Sequence, residues 1–126
     1  MTPFALLFDE DNRTGVSTSI TATADPVPAG SVFVVEHISG WFAVGESDIP
    51  DVIWAHDSGS NQQVFLPTHF ASRPLNFGDA LGVARMHQFG SPVRMYINPG
   101  ARLAVRADAN TAGVLFAAAV GQLEPA

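Results

Sequence analysis

Val93-Arg94-Met95-Tyr96-Ile97, followed by Asn98-Pro99-Gly100 and then by Arg102-Leu103-Ala104-Val105-Arg106-Ala107, is the stretch that decides the fold class. Val93, Met95 and Ile97 alternate with Arg94 and Tyr96; Leu103, Val105 and Ala107 alternate with Arg102, Ala104 and Arg106. Successive side chains of an extended strand point to opposite sides, so strict period-two patterning marks half-buried antiparallel strands. Asn98-Pro99-Gly100 carries tight-turn chemistry, and the expectation is a hairpin. Its alternation places Arg94, Tyr96, Arg102 and Arg106 on one outward face.

Working outward, turn signals recur every eight to twelve residues or so: Asp11-Asn12, Pro26 to Gly30, Gly45 to Pro50, Asp57 to Asn61, Asn76 to Asp79, Gly90-Ser91-Pro92 and Asp108 to Asn110. These residues fix or free φ, or bond their own backbone. Strand-like runs lie between them: 16–23, 32–44 (long enough to bend between two sheets), 51–56, 63–66 and 80–87. Ala112 to Leu123 has an alanine run compatible with a helix, but Gly113, Val114, Phe116, Val120 and Gly121 break a helical surface. It is expected as a last strand buried on both faces, with helix as the alternative. The pattern predicts one domain over residues 1–126: an all-β antiparallel sandwich of jelly-roll or Greek-key type, with eight to nine strands. Val27-Pro28-Ala29-Gly30 and Ile97-Asn98-Pro99-Gly100 echo each other, as two Greek keys would.

Composition bears on partners. Charged residues make 14% of the 126 residues against 47% apolar, where soluble domains carry about 25% charged. A surface so short of charge suits a chain that associates. The net charge of −6, with no Lys, opposes nucleic-acid binding, which needs a dense basic field. Acids crowd residues 1–57, where Arg13 is the single basic residue, and five Arg lie beyond. If those halves were spatial poles, they would favour head-to-tail contacts. With no Cys, disulfides and thiolate sites are excluded. Met1 to Asp9 lacks a basic flank and a long apolar core, so no signal peptide is expected. Val114 to Val120 is too short for membrane insertion. Cytoplasmic synthesis follows, with a virion or other assembled particle as a destination.

The segment Val27-Pro28-Ala29-Gly30-Ser31-Val32-Phe33-Val34-Val35-Glu36-His37-Ile38-Ser39-Gly40 resembles the first long strand of small jelly-roll-like β-sandwich proteins of bacteria and phages. Tyr96 to Gly100 and the closing Gly121-Gln122-Leu123 are similar to theirs. The resemblance covers these two stretches and implies a fold rather than an activity. Cupins share such a barrel, but their metal motif wants His-x-His, then Glu, then a further His; Glu36-His37 lacks that spacing, and strict alternation sets the two on opposite faces.

No catalytic constellation stands out. His37, His56, His69 and His87 have no short metal-site spacing, and no metal or other cofactor is expected. Asp9, Glu10 and Asp11 fail an EF-hand match at Arg13 and Thr14. Glu46, Asp48 and Asp51 suit a looser hard-cation loop or a solvated turn. No Gly-x-Ser-x-Gly elbow occurs. Two groups of interface or ligand-binding candidates rise above this background. Trp54 and His56 share one face of their strand, with Trp41 elsewhere; these indoles either stack on sugars or serve the core. Arg94, Tyr96, Arg102 and Arg106 combine flat apolar area with directed hydrogen bonds, as interfaces do, or make an ordinary solvated face.

The expected function is non-enzymatic: a structural or interaction module whose partners are copies of itself. Val32–Val35, Ile53–Ala55 and Val114–Val120 are apolar on both faces and would be covered by a second subunit, in a phage virion or similar particle. The alternatives are a carbohydrate-binding module using Trp54, Trp41 or Tyr96, and a degenerate cupin-like enzyme. Other assembly proteins and glycans complete the partner classes.

Overall fold

A computed structural model describes residues 1–11, 19–45, 52–59, 62–76, 83–108 and 113–126, with backbone alone at 45, 52, 69–76, 83 and 84. Nine strands occur among the described residues: β1 (Thr2–Asp11), β2 (Ser19–Thr23), β3 (Ser31–Gly45), β4 (Val52–Asp57), β5 (Gln63–Phe65), β6 (Thr68–Asn76), β7 (Val83–Ile97), β8 (Leu103–Asp108) and β9 (Val114–Pro125). They form a five-stranded sheet in the order β1-β9-β3-β7-β6 and a four-stranded sheet in the order β2-β8-β4-β5. Every pairing is antiparallel. No helix among the described residues is long and apolar enough to cross a membrane.

The core lies between the sheets. Phe33, Val35, Ile38 and Phe42 of β3, Phe89, Met95 and Ile97 of β7, and Leu115, Ala117 and Ala119 of β9 form one side. Ile20 and Ala22 of β2, Ile53 and Ala55 of β4, and Leu103, Val105 and Ala107 of β8 meet them in one buried cluster. Each large member contributes about 1.5–3 kcal/mol through removal from water. Phe4 of β1 closes the seam edge-on against Phe33, with ring centroids 5.1 Å apart.

The expected hairpin is absent. β8 pairs with β2 and β4, not with β7, and Asn98-Pro99-Gly100 carries the chain from one sheet to the other. Ala101 N–H donates to the Asn98 carbonyl at 3.0 Å, with Gly100 at φ 78°, the position a type II turn reserves for Gly after Pro. Pro28-Ala29-Gly30-Ser31 repeats the device: Ser31 N–H reaches the Pro28 carbonyl at 3.3 Å and Gly30 has φ 80°. It carries the chain from β2 to β3, again between sheets. The two turns touch, because Val27 N–H donates to Ala101 and Gly100 N–H donates to Val27, both at 2.9 Å.

Other expectations need correction. β3 does not bend between sheets; it stays paired with β7 and β9, and a bulge between Val35 and His37 absorbs its irregularity. Gly90-Ser91-Pro92 is not a turn, since β7 runs through it. Proline is tolerated in strands at edges and irregularities; β6 stops opposite Phe89, and the register shifts just beyond Pro92. β1 and β6, not anticipated, are the two edges of the larger sheet. β9 is a strand, but only Leu115, Ala117 and Ala119 are fully buried; its other face is half-buried to exposed. The acidic and basic halves are not poles, because β1 and β3 interleave with β7 and β9.

Candidate interaction surfaces

Register builds the first surface. On the outer side of the smaller sheet, Thr21, Arg106, Trp54 and Phe65 lie opposite one another across β2, β8, β4 and β5. Thr23, Ala104, His56 and Gln63 form the next row. Burial of Ile53 and Ala55 between them leaves Trp54 and His56 facing outward, half-buried. The Arg106 guanidinium carbon sits 5.2 Å from the Trp54 ring centroid, and Arg106 Nε donates to Asp108 Oδ1 at 3.3 Å. Phe65 stands edge-on to Trp54, with centroids 6.5 Å apart and planes at 85°. A solvent-open cleft of about 160 Å³ is lined by Trp54, Gln63, Val64 and Phe65.

The second surface is the outer side of the larger sheet. Trp41 lies directly opposite Phe116, and the two rings stack at 5.9 Å with planes 19° apart. Beside them, Leu7 faces Ala118 and Ala5 faces Val120, continuing to Ser39 and His37. Leu7 is 72% exposed and Val120 45%.

The four residues expected together on one face are divided between the sheets. Arg94 and Tyr96 belong to β7; Arg106 belongs to β8 and Arg102 immediately precedes it. Arg94 Nε donates to the Tyr96 hydroxyl at 2.9 Å. That bond first, then the electrostatic influence of Tyr96 and of the carboxylates of Glu36 and Glu124, raises the Arg94 pKa above its ordinary value, so the group stays cationic. A cleft of about 260 Å³ beside it is lined by Val34, Val35, Glu36, Val93 and Arg94. Arg102 turns the other way, with Nη1 donating to the Ala24 carbonyl at 3.4 Å and its backbone N–H to Ser58 Oγ at 2.9 Å.

The bulge also revises Glu36 and His37. Val35 and Ile38 both point inward, so strict alternation fails between them and both intervening residues lie outward. Among the described residues no group of three or more His, Asp or Glu is placed to hold a metal ion. Asp9, Glu10 and Asp11 end strand β1, all exposed, while Arg13, Thr14, Glu46, Asp48, Asp51 and the His69 side chain lie outside what is described. His37 is half-buried and His87 buried.

One polar cluster was not legible. Gln62 Nε2 donates to Asp57 Oδ2 at 2.6 Å and to the Tyr96 carbonyl at 2.7 Å, and Gln62 Oε1 accepts from Tyr96 N–H at 3.0 Å. Its amide thereby imitates a strand on the side of β7 that β6 leaves uncovered. Gly59 N–H completes the group, donating to Asp57 Oδ1 at 3.0 Å. Phe65 was missed as well, because only the pairing of β5 with β4 sets it opposite Trp54. No protein-family model, no curated protein and no solved structure matches the chain.

Proposed function

We propose that this protein is a non-enzymatic structural subunit that assembles with copies of itself, through the outer side of the β1-β9-β3-β7-β6 sheet, in a larger particle such as a phage virion. One observation carries the proposal. Ala5, Leu7, Trp41, Phe116, Ala118 and Val120 occupy adjacent registered positions, bordered by Asp9 opposite Phe116 and by Ser39 and His37 opposite Ala118 and Val120. Contiguous apolar surface of this kind marks contacts. Five strands about 4.8 Å apart and some ten residues long make a face of roughly 800 Å², which is what one partner contributes to a standard interface. Asp9, Glu36, Arg94 and Glu124 lie around the apolar centre, as a polar rim does.

The strand order supports a jelly-roll form for the subunit. With β6 set aside, β1-β9-β3-β7 opposes β2-β8-β4-β5, the arrangement that two interlocked Greek keys produce, and the paired Pro-Gly crossings fit that internal symmetry. The resemblance to small jelly-roll proteins of bacteria and phages points the same way. Light scattering at micromolar concentration tests the assembly: a mass of at least two subunits is expected, and a clean 13 kDa monomer overturns it.

A further inference from the structure

We infer that the cleft between Trp54 and Phe65, on the opposite side of the molecule from the assembly face, binds a sugar ring of a glycan chain. The two aromatic rings meet at 85° and enclose a corner. Phe65 is 72% exposed on the three-residue strand that edges the smaller sheet. Gln63 lines the same cleft, His56 is next to Gln63 across the strands, and Arg106 flanks the far side of Trp54. Apolar walls with a few convergent hydrogen-bonding groups are the composition of a ligand site. Sugars match it, because their rings carry an apolar C–H face and a rim of hydroxyls.

Other occupants fit less well. At about 160 Å³ the cleft is below the 300–1,000 Å³ of sites that engulf a drug-sized ligand. A nucleic-acid strand would meet a protein of charge −6. An open cleft, in contrast, admits one unit of a longer polymer that runs across the sheet.

The test is an array printed with glucans, galactans, mannans, uronic-acid polymers and sialylated oligosaccharides, with calorimetry on each hit. Binding that weakens at least tenfold in Phe65→Ala, and in Trp54→Phe with an unchanged circular dichroism spectrum, supports the site. Phe65 is exposed, so its truncation leaves the fold intact even if a Trp54 variant does not fold. Retention of no glycan at hundreds of micromolar overturns the inference, as does a hit of unchanged affinity in Phe65→Ala. So does a fall in subunit number in Phe65→Ala without glycan binding, which would make the cleft a contact between copies.

Discussion

A methyl group added at Gly100 would meet no atom within 4 Å, yet the residue is held at φ 78°. Its requirement is conformational alone, and a left-handed backbone costs an L residue about 1–2 kcal/mol. Gly121 is the opposite case. Its φ is ordinary, but a Cβ there would collide with the Val34 carbonyl oxygen and crowd Glu36 N. Val35 pairs with Gly121 at the β3 bulge, so the extra residue presses its backbone against the neighbouring strand. Urea unfolding is expected to show Gly100→Ala destabilised by about 1–2 kcal/mol with an unchanged m-value, and Gly121→Ala by about 3 kcal/mol or more. The reverse ranking would mean that the bulge is not where the strain lies.

Among elements, the edges distinguish this sheet. β7 outruns β6 and would present open N–H and C=O groups near Tyr96, a hazard for unwanted strand pairing. The Gln62 amide fills that place with two backbone bonds and reaches Asp57 as well. Gln62→Ala should cost about 1 kcal/mol, typical of exposed hydrogen bonds. Its larger consequence is a freed edge: thioflavin fluorescence on agitation should rise sooner than in the unaltered protein, while Gln62→Glu, which keeps one acceptor for Tyr96 N–H, should fall between. Equal lag times for all three would remove the protective role. The Trp41–Phe116 and Trp54–Arg106 pairs are also products of register, since each joins directly opposed residues; such pairs contribute about 0.2–1 kcal/mol.

For the whole molecule, the two outer faces are given different work. The larger sheet offers a broad apolar centre, the smaller one a narrow aromatic corner with polar neighbours. Leu7→Asp and Val120→Asp place charges on the apolar centre at positions already open to solvent. Each should therefore leave the folding free energy of the isolated subunit within about 0.5 kcal/mol while shifting the scattering mass to 13 kDa. If both variants keep the mass of the unaltered protein, that face is not the contact. Glycan binding through Trp54 and Phe65 should survive both substitutions, because the two surfaces lie on different sheets.

What local pattern encodes was readable in advance. Period-two alternation at 93–97 and 102–107, turn chemistry every ten residues, and the shortage of charge were enough for an all-β chain with two sheet layers, and for Trp54 and His56 on one side of a strand. The Pro-Gly echo was visible too, although its meaning was not. Pairing partners are a different kind of information. Whether Asn98-Pro99-Gly100 closes a hairpin or crosses between sheets depends on which distant strand offers β8 more buried contact, and β2 and β4 prevail over β7. That choice separated Arg94 and Tyr96 from Arg102 and Arg106. Long-range pairing likewise made strands of Met1's apolar sequel and of the segment before Asn76, carried β7 through Pro92, and set Phe65 beside Trp54. Strand propensity is a property of neighbours in the chain; adjacency across a sheet is settled only when the whole core closes.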